Sequence, residues 1–456
     1  MSISVRDTRF RLLPMRTRMP FRYGIATVRK LQHLILQVAA LVDGEEVEGH
    51  SADHLAPRWF VKDPTLTVED EVQLLLSVIQ HACQLAEELR EVPSPFDLWW
   101  EVYQAQMAWA HQENIAPLVA SFGVSLIERA AIDAFCRAKR VSFAQALRRN
   151  MLGLDLGRIH PSLRGAEPGN YLPAEPLREI IVRHTVGLSD PLTDADIPPN
   201  ERLDDGLPQS LEDCIQHYGL THFKIKLGGD AHADHERLRA LSRLLSGTFY
   251  FTLDANEMYP DIEAFRRFWE HVCADAALTE FRRALLFVEQ PLARDEALSE
   301  RTHQELLRWR DKPPVIIDES DAELRSLATA LDIGYHGCSV KSCKGVFKGI
   351  VNLCLAESLS RQGRGVLISG EDLTTVPPIS LLQDLALMAN LGIPHVERNS
   401  YHYFRGLTML SQDEQDRLLA TYPDLFTRHP LGFVVMHVTG GRVSTTGVAK
   451  TAFGQQ

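Results

Sequence analysis

The chain has 456 residues, of which 45% are apolar, and a formal net charge of −12. This length is enough for a barrel of about 250 residues together with a second domain. The acidic charge argues against nucleic acid as the main partner, because no basic surface is available to replace the counterions along a phosphate backbone.

Cysteine usage and hydropathy bear on the compartment. The seven cysteines are scattered along the chain without paired CxxC spacing, which is typical of a reduced cytosolic protein rather than of a disulfide or zinc framework. The first residues lack the apolar core of a signal peptide, and no apolar run reaches the ~18 residues needed to cross a membrane. We therefore expect a cytoplasmic protein that binds small molecules and has no membrane partner.

Residues 1–145 are predicted to form an α+β domain. The alternating stretch 34–42, followed by the turn Asp43-Gly44, is typical of an antiparallel strand. Further along, apolar residues spaced three and four positions apart in 72–83 and 125–135 indicate two helices.

Residues 146–425 show a repeated alternation of strands and helices. Short apolar runs alternate with helical segments such as 234–245 and 262–273. Eight strands with parallel crossovers predict a (β/α)8 barrel, with an open sheet as the alternative if the end strands do not pair. The predicted fold class is α/β, a TIM-type barrel with an α+β capping domain.

Two segments stand outside this alternation. The acidic stretch 187–208 is longer than an ordinary βα loop. A solvated insertion is favoured there over a substrate lid, although its position after the first barrel strand allows a lid. Residues 426–456 contain a predicted hairpin, and we expect this C-terminal segment to return to the capping domain.

Five apolar runs in the second half of the chain each end in one charged residue. These residues are Lys226, Asp254, Glu289, Asp318 and Lys341. Their intervals of 28, 35, 29 and 23 residues are close to the ~30 residues of one strand and helix. Because the carboxyl ends of barrel strands meet at one mouth, the pattern predicts a single site of three carboxylates and these lysines, joined by Lys224.

Three carboxylates at one point favour a bound cation. Like charges a few ångströms apart raise one another's pKa, so the cluster cannot stay ionised without a counter-charge. Oxygen ligands without nearby His or Cys favour Mg2+, with Mn2+ as the alternative, and we expect no organic cofactor. Burial and the cation would lower the pKa of a neighbouring lysine, which could then remove a proton next to a carboxylate while the cation and Lys224 stabilise the enediolate.

These residues resemble the motifs of the enolase superfamily, in the muconate-lactonizing-enzyme subgroup of its mandelate racemase/muconate lactonizing enzyme family. The motifs are Lys224-Ile-Lys226, Asp254-Ala-Asn256, Glu289-Gln-Pro-Leu, Asp318-Glu-Ser and Val340-Lys341-Ser-Cys-Lys344-Gly. Pro20-Phe21 and 127–133 also match, so the resemblance covers nearly the whole chain. Lys341 indicates the subgroup, since the mandelate racemase subgroup uses a His-Asp pair on later strands. Departures at Gly345-Val346 and 369–372 indicate an outlying branch.

The resemblance implies roles for the charged residues. It implies metal binding by three carboxylates, those of Asp254, Glu289 and Asp318. It implies that Lys226 is the base on one face of the substrate and that Lys341 is either a base or a fixed cation on the other. Lys224 is similar to the residue that lowers the charge on the substrate carboxylate and helps to set the pKa of the base.

Neighbouring residues are assigned supporting or passive roles. Asn256 and Glu319 are expected to support the metal ligands through hydrogen bonds and to shape the local turn. Lys344 is favoured to face solvent, with contact to the site as the alternative. His184 and Thr185 on the first barrel strand are candidates for lining the pocket, with an equally favoured alternative in which His184 is a packed barrel residue.

Substrate contacts are expected from the cap and from the last strands. The cap candidates are Phe21, Arg22 and Tyr23, with a second loop at 50–59. Glu371 and Asp372 are candidates for binding an ammonium group, and Arg398 for binding a second carboxylate, because a guanidinium matches carboxylate geometry. In the favoured alternative, the charged residues at 371, 372, 397 and 398 pair with one another.

The expected function is that of a Mg2+-dependent enzyme that removes the proton α to the carboxylate of a small molecule, as a racemase, epimerase or cycloisomerase. A syn-dehydratase, similar to o-succinylbenzoate synthase or an acid-sugar dehydratase, is the alternative on the same site. A Schiff-base aldolase would leave the carboxylates without a role, and a silent scaffold or ligand-binding barrel would predict a damaged site. Relatives are commonly dimers or octamers, so the resemblance implies a homo-oligomer.

Overall fold

The computed structural model describes residues 1–454, and its N-terminal part is a three-stranded antiparallel sheet. The strands are β1 (Ile3–Tyr23), β2 (Ala26–Val42) and β3 (Glu45–His54). The first two strands form one long hairpin, and β3 pairs with β2 from His33–His54 to Val42–Glu45. This hairpin carries the cap residues that reach the barrel mouth.

Three helices pack with this sheet. They are α1 (Val68–Glu88), α2 (Pro95–Gln112) and α3 (Pro117–Lys139). Side-chain caps begin the first two, since the hydroxyl of Thr67 accepts from the N–H of Asp70 and that of Ser94 from the N–H of Asp97. Helix α3 packs on β2 and β3 and is buried over most of its length. The predicted α+β cap is confirmed.

Eight parallel strands form the second part of the fold. They are β4 (Glu179–Val186), β5 (His222–Lys226), β6 (Tyr250–Asp254), β7 (Leu285–Glu289), β8 (Val315–Ile317), β9 (Gly337–Val340), β10 (Leu367–Gly370) and β11 (His395–Arg398). Each strand pairs with the next, and β11 pairs with β4 in parallel register. The sheet is closed, which confirms the predicted (β/α)8 barrel and excludes the open sheet.

Helices lead into the barrel and connect its strands. They are α4 (Phe143–Arg148), α5 (Leu156–Ile159), α6 (Leu211–Tyr218), α7 (Ala231–Leu244), α8 (Ile262–Ala274), α9 (Thr279–Arg282), α10 (Arg294–Ala297), α11 (Glu300–Arg308), α12 (Ser326–Ile333), α13 (Val346–Ser360), α14 (Ser380–Leu391) and α15 (Ser400–Tyr403). Helices α6 and α14 end at Gly219 and Gly392, whose positive φ angles of 68° and 73° favour glycine. Within residues 1–454, no helix combines the length and apolarity that crossing a membrane requires.

The C-terminal segment contacts both the barrel and residue 143. Helix α16 (Gln412–Thr421) precedes a hairpin of β12 (Phe426–Arg428) and β13 (Val434–Met436). The last strand, β14 (Arg442–Ser444), pairs antiparallel with the first barrel strand rather than with the N-terminal sheet. Strand β5 pairs with β4 only from Arg183 onward, so β14 satisfies backbone groups at the start of β4. Further on, Phe453 packs on Phe143, with ring centroids 4.5 Å apart.

The long acidic loop 187–208 is held against the N-terminal hairpin. Arg18 of β1 donates two hydrogen bonds to the carboxylate of Asp205, at 2.6 and 2.9 Å, and others to the carbonyl oxygens of Leu207 and Pro208. The Arg18 side chain is only 3% exposed. The docked loop is therefore part of the packing between cap and barrel.

Candidate active site

Three carboxylates lie together at the carboxyl ends of neighbouring barrel strands. Asp254 ends β6, Glu289 ends β7, and Asp318 directly follows β8. Asp254 is the register partner of both Glu289 and Lys226, which ends β5. All four side chains are buried. The barrel thus brings together residues that are separated by 92 positions at most, from 226 to 318.

The ammonium group of Lys224 lies at the centre of this cluster. Its Nζ is 2.6 Å from Glu371, 2.8 Å from Glu289, and 3.0 Å from both Asp254 and Glu397. Burial alone would lower the pKa of Lys224, but these four carboxylates outweigh it and raise the pKa well above its usual range. Lys224 is therefore a positively charged counter-ion inside the barrel.

Lys226 and Lys341 reach the carboxylates from opposite sides of the barrel. Lys226 ends the second of the eight strands and Lys341 follows the sixth, so their strands are four places apart in the closed ring. Nζ of Lys226 lies 2.5 Å from Oδ2 of Asp254, and Nζ of Lys341 lies 2.6 Å from Oδ2 of Asp318. Since strands four places apart in such a ring face each other, the two amines flank the carboxylate cluster.

Neighbouring carboxylates raise the pKa of Lys341. Burial acts to lower this pKa, but the charge of Asp318 raises it above its usual range. In return, Lys341 and Lys344 hold the pKa of Asp318 well below its usual range, against the effect of burial. The lower lysine pKa predicted from the sequence therefore depends on a cation that offsets these carboxylates.

Glu289 has the poorest set of partners among the carboxylates. Both of its oxygens are buried without a hydrogen bond, and Nζ of Lys224, 2.8 Å from Oε2, makes an ion pair without hydrogen-bond geometry. Burial, together with the charges of Asp254 and Glu371, raises the pKa of Glu289 well above its usual range. A buried carboxylate of this kind is unfavourable unless it meets a cation. With Asp254 and Asp318 it could hold a divalent ion, and an all-oxygen donor set suits Mg2+.

Asn256 and Glu319 support one side of the cluster. The side-chain oxygen of Asn256 accepts a hydrogen bond from Lys226 at 2.9 Å, and its amide donates to Glu319 at 3.1 Å. Burial, reinforced by the charge of Asp318, raises the pKa of Glu319 to about 7. Asn256 therefore fixes the position of the Lys226 amine.

Lys344 is buried, so the prediction that it faces solvent was wrong. Its Nζ lies 3.1 Å from Oδ1 of Asp318 and 2.7 Å from the hydroxyl of Ser339, which itself donates to Asp318. The turn Ser342–Lys344 that follows Lys341 brings this side chain back to the barrel wall. Lys344 thus anchors the Asp318 carboxylate from the side away from Lys341.

Two further carboxylates come from the last strands of the barrel. Glu371 follows β10 and Glu397 lies in β11, and both are buried. Glu371 forms an ion pair with Arg183, and Glu397 accepts a hydrogen bond from the hydroxyl of Thr185 at 2.6 Å. Sequence reasoning gave Glu397 no part in the site. A signal was present, because Glu397 also follows an apolar residue near the end of a predicted strand.

Arg398 is paired within the protein. Its guanidinium contacts Asp384, and Nη1 lies 3.4 Å from Oδ1 of Asp372. Asp372 also accepts hydrogen bonds from the N–H and the hydroxyl of Thr375, both at 2.8 Å. Arg398 and Asp372 therefore pair with each other, as expected in the alternative that was favoured over substrate contacts.

A loop of the cap covers the barrel mouth. The indole of Trp59 lies over Lys341, with Nζ 4.4 Å from the ring centroid. Arg294 of the barrel donates a hydrogen bond to the carbonyl oxygen of Trp59 at 2.9 Å, and Lys62 forms a 2.8 Å ion pair with Glu257. The cap loop is therefore fastened to the barrel at the segments that follow β6 and β7, and it places Trp59 over Lys341.

The three substrate-contact candidates of the cap lie in different environments. Phe21 is buried and stacks on Tyr403, with ring centroids 4.1 Å apart. The hydroxyl of Tyr23 donates to the carbonyl oxygen of Pro57, and burial raises its pKa above its usual range. The side chain of Arg22 is exposed. Phe21 is thus packed against the barrel and Tyr23 against the cap loop, whereas Arg22 is open to solvent.

The fold of this chain is similar to that of known structures. No protein-family model and no curated sequence matches the chain. A mandelate racemase/muconate lactonizing protein from Herpetosiphon aurantiacus superposes with a TM-score of 0.60 at 17% identity, covering 98% of this chain and 97% of that one. 2-Chloromuconate cycloisomerase from Rhodococcus opacus 1CP superposes with a TM-score of 0.60 at 15% identity, covering 98% of this chain and 96% of that one. The dipeptide epimerase from Enterococcus faecalis V583, complexed with Mg and L-Leu-L-Tyr, superposes with a TM-score of 0.58 at 14% identity, covering 88% of this chain and 92% of that one. The chain therefore has the fold of the mandelate racemase/muconate lactonizing enzyme members of the enolase superfamily.

Proposed function

We propose that this protein is a Mg2+-dependent enzyme of the enolase superfamily that removes the proton α to the carboxylate of a small-molecule substrate. Racemisation, epimerisation or cycloisomerisation would follow, and syn-dehydration is a second candidate on the same site. The main support for this proposal is that Lys226 and Lys341 flank one buried carboxylate cluster from opposite sides of the barrel.

Asp254, Glu289 and Asp318 are the residues that would hold the ion. When bound, Mg2+ would supply positive charge to stabilise the negative charge that develops on the substrate carboxylate. It would also offset the carboxylates that raise the pKa of Lys341, which brings that amine closer to the range in which a base works. Mn2+ could take the same ligands.

The two flanking lysines would move the protons. An amine on each side of the substrate lets one lysine remove the α-proton while the other returns a proton to the opposite face, which inverts the carbon centre. In a cycloisomerase or dehydratase, one lysine would transfer the proton and the other would act as a fixed cation. Lys224, already among four carboxylates, would offset charge near the substrate carboxylate.

Proteins with the same fold support this choice of reaction. One is a dipeptide epimerase complexed with Mg and a dipeptide, and another is a 2-chloromuconate cycloisomerase. A homo-oligomer with a small-molecule carboxylate as ligand would be in keeping with the resemblance.

Exchange of substrate protons with deuterium tests the proposal. Dipeptides, N-acylamino acids, acid sugars and muconolactone would be incubated with the enzyme and Mg2+ in D2O and followed by proton NMR. We expect α-proton exchange that is lost in Lys226→Ala and in Lys341→Ala but kept in Lys30→Ala, which removes an exposed lysine of the cap hairpin. Exchange into both stereoisomers would indicate a racemase or epimerase.

Three outcomes would count against the proposal. Exchange that survives both site variants would mean that other groups remove the proton. Trapping of substrate on the enzyme by borohydride would indicate a Schiff base and favour the aldolase. Firm Mg2+ binding without exchange of any carboxylate in an extended panel would favour a silent barrel.

A further inference from the structure

A second cluster of metal-binding side chains lies outside the barrel lumen. It consists of His184 on β4, Cys214 on α6 and His402 on α15, and one ligand atom of each lies within 4.8 Å of the other two. The three side chains are buried. His184 precedes Thr185, whose hydroxyl bonds Glu397 inside the barrel, and neighbouring strand residues point to opposite faces. The cluster therefore lies on the outer face of β4, under helix α6, away from the carboxylates of the candidate active site.

The distances within this cluster suit a small tetrahedral ion. Sγ of Cys214 lies 3.5 Å from Nδ1 of His402. Zinc bonds of about 2.0–2.3 Å at tetrahedral angles place neighbouring N and S ligand atoms roughly 3.3–3.6 Å apart. One edge of a zinc site is therefore already formed. The ligand atom of His184 lies within 4.8 Å of both.

The hydroxyl of Tyr401 contacts one histidine of this cluster. It lies 2.6 Å from Nδ1 of His184, which fixes the orientation of that imidazole. Partners of this kind are typical of histidines that bind metals, because they orient the ring and set its tautomer. The Tyr401 hydroxyl also offers an oxygen donor beside this cluster, and the Tyr401 ring packs against Tyr218 at the end of α6.

We infer that His184, Cys214 and His402 form a structural zinc site, separate from the Mg2+ site proposed for catalysis. Two imidazoles and a thiolate suit Zn2+ and not Mg2+, which requires oxygen ligands. Such a site escapes sequence inspection, since its ligands come from positions 184, 214 and 402 and show no short spacing. It is independent of the proposed reaction.

The protonation of the ligands is compatible with metal binding. Burial lowers the pKa of His184 to about 3 and the pKa of His402 well below its usual range, so both imidazoles are neutral at neutral pH. Burial raises the pKa of the Cys214 thiol, so zinc must displace one proton, which leaves to solvent as the S–Zn bond forms. The net change is one Zn2+ bound and one H+ released.

The position of the cluster indicates what the ion would do. Strand β4 and the segment after β11 are the first and last parts of the barrel wall, and they meet where the barrel closes. Helix α6 belongs to the first strand-helix unit. A zinc ion bound to all three would cross-link this seam, and Arg18 of the cap donates to the carbonyl oxygen of His402 at 3.1 Å. Its contribution would therefore be to the stability of the closed barrel.

The competing explanation is a hydrogen-bonded cluster without metal. The thiol of Cys214 can donate to Nδ1 of His402, and the hydroxyl of Tyr401 can donate to Nδ1 of His184. Cobalt(II) separates the two explanations, because it replaces zinc and shows a near-ultraviolet thiolate charge-transfer band only when sulfur is a ligand. Mg2+ in excess would fill the oxygen site and leave this band unaffected.

The experiment uses the full chain, prepared without a metal-affinity tag. Zinc content would be measured by mass spectrometry, and the protein would then be stripped by a chelator and titrated with Co2+ in excess Mg2+. Variants Cys214→Ala and His402→Gln test the site. Cys354→Ala, which removes another buried cysteine on α13, is the matched control.

We expect one zinc for each wild-type chain and a thiolate–cobalt band that saturates at one equivalent. The bound zinc and the cobalt band should persist in Cys354→Ala and disappear in Cys214→Ala and His402→Gln. Mg2+ should still stabilise the last two variants against unfolding. A wild-type protein that gives no thiolate–cobalt band overturns the inference, and this readout needs no variant to fold. A band that persists in Cys214→Ala overturns it too.

Discussion

Trp59 and Lys341 form a cation–π pair across the boundary between the two domains, with Nζ 4.4 Å from the centroid of the indole ring. The tryptophan belongs to a loop of the cap, whereas the lysine follows β9 and bonds Asp318 at 2.6 Å. The cap therefore supplies part of the electrostatic environment of a proposed catalytic amine. It also shields that amine from water.

Replacing Trp59 by Leu should slow the proposed proton transfer. The ring stabilises the ammonium form that Lys341 reaches when it takes a proton, and such contacts contribute about 0.5–2 kcal/mol. We expect the exchange rate of the α-proton to fall about 2- to 30-fold, with Mg2+ affinity unchanged. The Trp59→Phe variant keeps an aromatic face and should lose less. Equal rates in wild type and Trp59→Leu would show that the ring has no such role.

Replacing Glu289 by Gln should have opposite effects with and without magnesium. In protein treated with a chelator, the change removes a buried carboxylate that lies beside Asp254 and Glu371, so the free energy of unfolding should rise, on the order of 1 kcal/mol. Mg2+ affinity, measured by calorimetry, should fall by at least about 10-fold. The exposed control Glu280→Gln, on the surface, should change neither quantity. Unaltered Mg2+ binding in Glu289→Gln would remove this residue from the proposed ligand set.

The barrel and the core of the site could be predicted because the relevant signals are local. A buried parallel strand gives an apolar run, and the residue that ends it must lie at the barrel mouth. Asp254 and Glu289 can therefore be recognised as candidate site residues from the sequence alone. The sequence does not show that β11 pairs with β4, because strand pairing between residues 395 and 181 depends on the closure of the whole sheet.

Contacts between distant segments account for the errors. Lys344 was favoured at the surface because a lysine in a turn is usually solvated, yet its amine reaches back to Asp318, which follows the neighbouring strand β8 and lies 26 positions earlier in the chain. The pairing of β14 with β4 was likewise missed. A three-residue strand carries little pattern, and its partner is chosen by which backbone groups the barrel leaves unsatisfied.

The Arg18→Ala variant should release the long acidic loop. Arg18 is buried and donates to Asp205 and to three carbonyl oxygens, and removing one partner of a buried ion pair leaves the other uncompensated. We expect a loss of about 2–4 kcal/mol in the free energy of unfolding and faster proteolytic cleavage between residues 187 and 208. Arg16→Ala, an exposed arginine on the same strand, is the control. Cleavage at the wild-type rate would mean that other contacts hold the loop.

Glu128 should make stability depend on pH. This residue of α3 accepts hydrogen bonds from the N–H groups of Val346 and Phe347 at the start of α13. Burial raises its pKa from 4.5 to about 7. A carboxyl with a raised pKa binds more protons in the folded protein than in the unfolded chain, so its contribution to stability is complete below about pH 4.5 and is lost as the pH rises through about 7.

The Glu128→Gln variant tests this dependence, since glutamine stays neutral at every pH. At pH 5 the variant should be less stable than wild type, because the amide can accept at only one atom. At pH 8 the wild type carries a buried charge, and the difference in unfolding free energy should shrink by on the order of 1–3 kcal/mol. Urea denaturation at both pH values measures it, with the exposed Glu101→Gln as control. A difference that is the same at pH 5 and pH 8 would show that Glu128 does not titrate between them, and that the two N–H groups at the start of α13 hold it ionised throughout.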